Sequence, residues 1–272
     1  MASNLLEQDV TSVLTATVER SAEELWIVNP THRTIEATVD VASEVDGALP
    51  TMRLLADEAA LKTTFDDFLV ASRTADLIDA GQLAVRTLDD DSTNSLVIAD
   101  DAVFAVVTAT DRVAALSTDD DEFVDEAKTA CGDRWEDADA FQLRTPPISR
   151  VRETLTDDIG EAAREDFDAV LASLDTARGD GNGLDEVTTS LLIAARNEVL
   201  LYDISKWGED VGIASKATFS RTKTKLEDTG LITTEKVPID VGRPRLRLQL
   251  ADDRLSEADP DEFGRVVDEI RG

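Results

Sequence analysis

The chain has 272 residues, 42% of them hydrophobic, which is enough for two domains with their own cores, and it carries a formal charge of -31. A single cysteine, Cys131, and a single histidine, His32, exclude a disulfide framework, a cysteine-rich zinc site and a multi-histidine metal centre, so no metal and no cofactor is expected. The acidity runs along almost the whole length, with seven lysines against twenty arginines, and predicts a halophilic protein kept hydrated in molar salt, where repulsion is screened within about 3 Å.

In chain order, MASNLLEQDV lacks a basic-then-apolar leader and no run approaches about 20 apolar residues, so a cytoplasmic protein with no membrane partner is expected. Leu5, Leu6, Val10, Val13, Leu14 and Val18 fall in helical spacing and predict an opening helix. LWIVN and TMRLLAD read as strands, EAALKTTFDDFLVASRTADLIDAG as one helix closed by Gly81, and QLAVRTL as a strand. NSLVIADDAVFAVVTATDRVAALS reads as strands turning at Asp100-Asp101 and near Thr110-Asp111. DDDEFVDEAKTACGDRWEDA reads as a helix with acids at its positive end. Residues 1–146 are therefore expected to form an α/β (or α+β) domain with a mixed sheet, acting in sensing or assembly.

Ile148, Val151, Leu155, Ile159, Ala163, Phe167, Val170 and Leu174 make one apolar stripe. They predict a long connecting helix of about 27 residues within 147–176, packed on its own domain or paired with its copy in a homodimer. The glycine-rich residues 177–183 read as a flexible break. Asp180, Asn182 and Gly183 match three calcium-loop positions there, but Arg178 and Thr189 fail the first and twelfth, so no calcium site is expected.

Residues 184–250 give three helical segments and then two short strands, LITTEKV and RLRLQL, flanking PIDVGRP: the order of a winged helix-turn-helix. An acidic C-terminal segment, 251–272, follows. Ser215 is a good N-cap for the third helix, and Phe219 and Leu226 turn inward. From Ile213 to Arg247 eight cations oppose four acids, giving +4, while the remainder carries -35. Ser215, Lys216, Thr218, Ser220, Arg221, Thr222, Lys223 and Lys225 on the helix are the expected DNA contacts, because cations and small hydroxyls suit phosphates and base edges. Arg243, Arg245 and Arg247 alternate with leucines and so share one face of the wing strand. The reading is a transcription regulator bound to double-stranded promoter DNA. Its alternative is a protein-interaction adaptor, which docks a winged helix on transcription machinery without binding duplex DNA.

STNSLVIADDAVFAVVTAT resembles the strand hairpin of phospholipase-D-like domains, whose catalytic members carry His-x-Lys-x(4)-Asp there. With Asp100 as the aspartate, Thr93 and Ser95 replace the histidine and lysine; with Asp101, Asn94 and Leu96 do. No catalytic residue is expected, and the chain reads as a non-enzyme. The noncatalytic hairpin resembles the effector domain of TrmB-type sugar-responsive regulators, although those place the winged helix first. The whole arrangement is similar to the haloarchaeal TbsP-type transcription regulators. That resemblance implies control of central carbon metabolism genes at promoters that a TrmB-type factor can share. For a metabolite, Asn29, Thr31, His32 and Arg33 at a strand end are the candidate contacts, suited to a phosphorylated sugar or another small anion.

Overall fold

The structure, a computed structural model, describes residues 5–7, 9–45, 47–88, 94–109, 112–174, 177, 184–238 and 244–271. It divides into two units: Met1–Asp66 with Arg73–Leu143, and Asp67–Ser72 with Arg144–Gly272.

The first unit opens with strand β1 (Leu5–Glu7), helix α1 (Val10–Arg20), β2 (Glu24–Val28), α2 (His32–Glu44), β3 (Thr51–Ala56) and α3 (Glu58–Phe65). Helix α4 (Phe68–Asp79), whose residues 68–72 belong to the second unit, strands β4 (Leu83–Thr87), β5 (Leu96–Ile98), β6 (Val103–Ala109) and β7 (Arg112–Thr118), and helix α5 (Asp121–Asp137) follow. The strands form one mixed sheet in the order β1-β7-β6-β5-β2-β3-β4. β2, β3 and β4 are parallel and every other pairing is antiparallel. The mixed sheet is as expected. β2 lies inside it and is buried from Leu25 to Val28, as the unbroken apolar run requires.

Two elements depart from the periodicity. Leu5 and Leu6 belong to a strand paired with Ala115 and Ala114, and the opening helix starts only at Val10, where the Asp9 carboxylate caps Ser12 N. The single helix expected from Glu58 to its stop at Gly81 is two, because Asp66 ends the first and the Asp67 carboxylate accepts from Leu69 N at the start of the second. A stripe with matching phase on both sides concealed that break.

The second unit contains α6 (Ile148–Asp158), α7 (Glu161–Ser173), α8 (Glu186–Arg196), α9 (Leu201–Val211), α10 (Lys216–Asp228), the hairpin β8 (Ile232–Val237) and β9 (Arg245–Leu250), and then α11 (Asp253–Glu257) and α12 (Phe263–Arg271). The long connecting helix is therefore corrected to two helices. Gly160 separates them at φ 136°, a conformation that an L side chain rarely adopts, and Ile159 N and Gly160 N both bond Leu155 O. The stripe survives the break: Ile148, Val151, Leu155, Ala163, Phe167 and Val170 all enter the unit's own core. That core also takes Leu191, Trp207, Phe219, Leu248, Phe263, Val266 and Val267, so the C-terminal segment folds back as an integral layer.

Candidate nucleic-acid interface

The HTH pair is built on close approach. Helix α9 ends at Gly212 in the left-handed region, with Ile213 N bonded to Gly208 O. A Cβ on Gly208 would collide with Cε2 and Cζ of Phe219, a ring with no exposed surface. Glycine at 208 thus lets α10 lie directly on α9, which sets the angle at which α10 leaves the domain. Ser215 caps α10 as expected, accepting from Thr218 N at 3.2 Å. Beyond the expected pair of strands, Leu200 bridges Arg247, and Leu248 N bonds Val199 O at 3.0 Å. The wing is therefore anchored to the segment just before α9.

Phe219 and Leu226 point inward, as expected, with 0% and 1% exposure. The arc opposite them carries Ala217, Ser220, Arg221, Thr224 and Lys225, all exposed. Thr218 and Thr222, which the spacing placed on the contact face, lie on the half-buried flank. Thr224 and Ala217 share that exposed arc but stand outside the expected set, although rotating the inward pair by half a turn on the same helical period places them there.

The cations divide by burial. Lys216 pairs with Glu209 at 2.7 Å, Arg245 with Asp203 at 3.5 Å and Arg247 with Glu235 at 3.6 Å, every cation among them 38–44% exposed. Such surface pairs contribute about 0–1 kcal/mol and can be exchanged for phosphates. Lys223 differs. Its side chain is 13% exposed and bonds Glu227 at 2.6 Å, while Glu227 also accepts from Thr234 Oγ1 at 2.8 Å, joining α10 to β8. Desolvation pushes the Glu227 carboxyl up, but the bonds from Lys223 and Thr234 outweigh it and hold the group below its ordinary range. Lys223 is placed as a tie within the fold. Lys225 and Lys236 are exposed with no ion pair among the described residues, and Arg221 reaches only Thr218 Oγ1 at 3.4 Å. Arg243 lies outside the described residues. The Arg245 guanidinium stands 4.6 Å from the ring centroid of Tyr202, a 49% exposed aromatic at the start of α9 that sequence reasoning passed over.

In the first unit, the hairpin aspartate has a structural partner set. Asp100 accepts from Ala22 N at 2.6 Å and from Glu23 N and Glu24 N at 3.1 Å each, pinning the entry to β2. Desolvation raises its pKa, yet the three amides and nearby Lys128 overcome that and leave it below the ordinary value. Thr93 lies outside the described residues, Asn94 and Ser95 precede β5, and Leu96 opens it. The candidate metabolite residues meet at the junction of β2 and α2. Thr31 caps α2, accepting from Thr34 N, Asn29 sits at φ 49° with its N–H on Leu55 O, and His32 and Arg33 are exposed in the first helical turn. Among the described residues no group of acids, His32 or Cys131 is arranged to hold a metal ion, and no helix is long and apolar enough to cross a membrane.

The family described as "Transcriptional regulator TbsP-like, N-terminal" matches residues 2–146, and "Transcriptional regulator TbsP-like, C-terminal HTH domain" matches 147–268. The chain belongs to the TbsP-like transcriptional regulators. No curated protein matches it. Among solved structures it is similar to TrmBL2, an archaeal chromatin protein described as showing a novel mode of DNA binding, at 16% identity and TM-score 0.38 over 52% of this chain and 54% of that one. The match thus spans about half of that protein. Nuc, a phospholipase D family member from Salmonella typhimurium, is similar at 10% identity and TM-score 0.37, over 52% of this chain and 98% of that one. NucT from Helicobacter pylori is similar at 20% and 0.36, over 51% and 99%. None of these three likenesses bears on what this TbsP-like chain does.

Proposed function

We propose that this TbsP-like regulator binds duplex DNA by laying the exposed arc of α10 into the major groove, with the wing on the adjacent backbone. The observation that carries the reading is the make-up of that arc. Arg221 and Lys225 stand beside the hydroxyls of Ser220 and Thr224 and the small Ala217, facing away from the core of a chain whose charge is -31. Cations there meet phosphates, while hydroxyls and a methyl group suit base edges. Exposed Lys216 and Arg245 and half-buried Arg247 exchange their weak carboxylate partners for phosphate oxygens, and Tyr202 borders the same surface.

Fluorescence anisotropy of the full chain on genomic DNA fragments tests this reading. Arg221→Ala should weaken binding about tenfold if its guanidinium reads a base, and the loss should concentrate on specific sites. Binding left unchanged by Arg221→Ala and Lys225→Ala together, with the fold intact, would favour the adaptor reading. Regulation of carbon-metabolism promoters in response to a sugar extends the proposal, and genomic binding mapped with and without sugar tests that extension.

A further inference from the structure

Helix α5 lays Val124, Cys131 and Trp135 over Trp26, Val28, Ile98 and Val103 on one face of the sheet. Further along the β6–β7 hairpin that cover stops, and Val107 and Leu116 are 48% and 53% exposed. Register sets Ala105 opposite Leu116 and Val107 opposite Ala114. Residues opposite one another across antiparallel strands share a face, and positions 103, 105 and 107 alternate onto the α5 side, so these four continue that face beyond the helix. β1 adds the register position of Leu6, opposite Ala114. Arg112, at the hairpin end, is the one charged residue in β6 or β7.

Two properties of this patch select its occupant. On a molecule of charge -31, most surfaces would bring carboxylates against carboxylates if two copies met, and a patch whose two strands hold no acid lessens that repulsion. The shape is also complementary to itself. Large side chains occupy one diagonal, Val107 and Leu116, and small ones the other, Ala105 and Ala114. A two-fold axis lying in the plane of the face and along the strands sets Leu116 of one copy over Ala105 of the other, and Val107 over Ala114. Knobs meet holes at all four positions. The α6–α7 stripe, the alternative that the sequence offers for pairing, is spent in the core of the second unit.

We propose that this exposed face of β6 and β7 is the homodimer contact, packed sheet to sheet about a two-fold axis. Sedimentation equilibrium of the full chain in molar potassium chloride tests it. Wild type should be a dimer, and Leu116→Glu should raise the dissociation constant about a hundredfold or more by setting like charges in the contact. Its circular dichroism should not change, because Leu116 is more than half exposed. Ala105→Leu keeps the surface apolar but fills the hole, and it too should weaken the dimer. A monomeric wild type, an undiminished Leu116→Glu dimer, or tighter association of Ala105→Leu would each overturn the proposal.

Discussion

Lys223 shows how a residue's environment, and not its type, assigns its role. Four cations precede Glu227 in α10, and in the sequence they look alike. The structure commits Lys223 to Glu227 at 13% exposure and leaves Arg221 and Lys225 facing outward. Gly208 makes the same point for a residue with no side chain. Gly208→Ala must push Phe219 away from α9, an overpacking that costs about 1–3 kcal/mol. A lowered urea midpoint should appear together with weaker DNA binding, since the same shift tilts α10. Asp100 is legible in its pH response. Its folded pKa is depressed, so its contribution is present above the unfolded value and is lost as pH falls through the folded one. Removing the charge with Asp100→Asn should cost about 1–2 kcal/mol at neutral pH, and the deficit relative to wild type should shrink on acidification below the ordinary carboxylate range. Urea titrations of both proteins across that range measure it.

At the scale of elements, helical period placed α8, α9 and α10 and identified the inward pair Phe219 and Leu226. It did not find the breaks at Asp66-Asp67 and Gly160, because the apolar stripe resumes in phase on the far side of each. A break in phase is a matter of backbone dihedrals, which a stripe does not record. The C-terminal segment illustrates the converse. Its acids dominate its composition, yet Leu255, Phe263, Val266 and Val267 are buried in the same core as Phe167 and Val170. A chain ending at Leu250 should therefore expose that core and aggregate or lose cooperative unfolding, as light scattering and thermal melts would show.

For the whole molecule, the governing quantity is the contrast between the contact segment and the rest of the chain. Each phosphate contact contributes about 0.9 to the fall of log K with log salt, so Lys225→Ala should flatten that slope by about 0.9 while weakening binding to all sequences alike. Lys223→Ala should leave the slope nearly unchanged and lower stability instead. Anisotropy titrations over a range of potassium chloride, paired with melts, separate the two. The acidic remainder can take up cations when DNA binds and offset part of the slope. A wild-type slope as steep as its count of phosphate contacts demands would exclude that compensation.

Composition, hydrophobic period and turn residues determined by themselves that there is a mixed α/β portion, a winged helix with Ser215 at the start of its third helix, and one cationic segment on an acidic chain. These are local quantities, set by neighbours a few positions apart. Which cations remain available, where the stripes break, and which faces remain bare were decided only in three dimensions. Each depends on partners far off in sequence, such as Asp203 for Arg245, Ala22 for Asp100 and Trp26 for Trp135. No period along the chain encodes a contact between residues that only folding brings together.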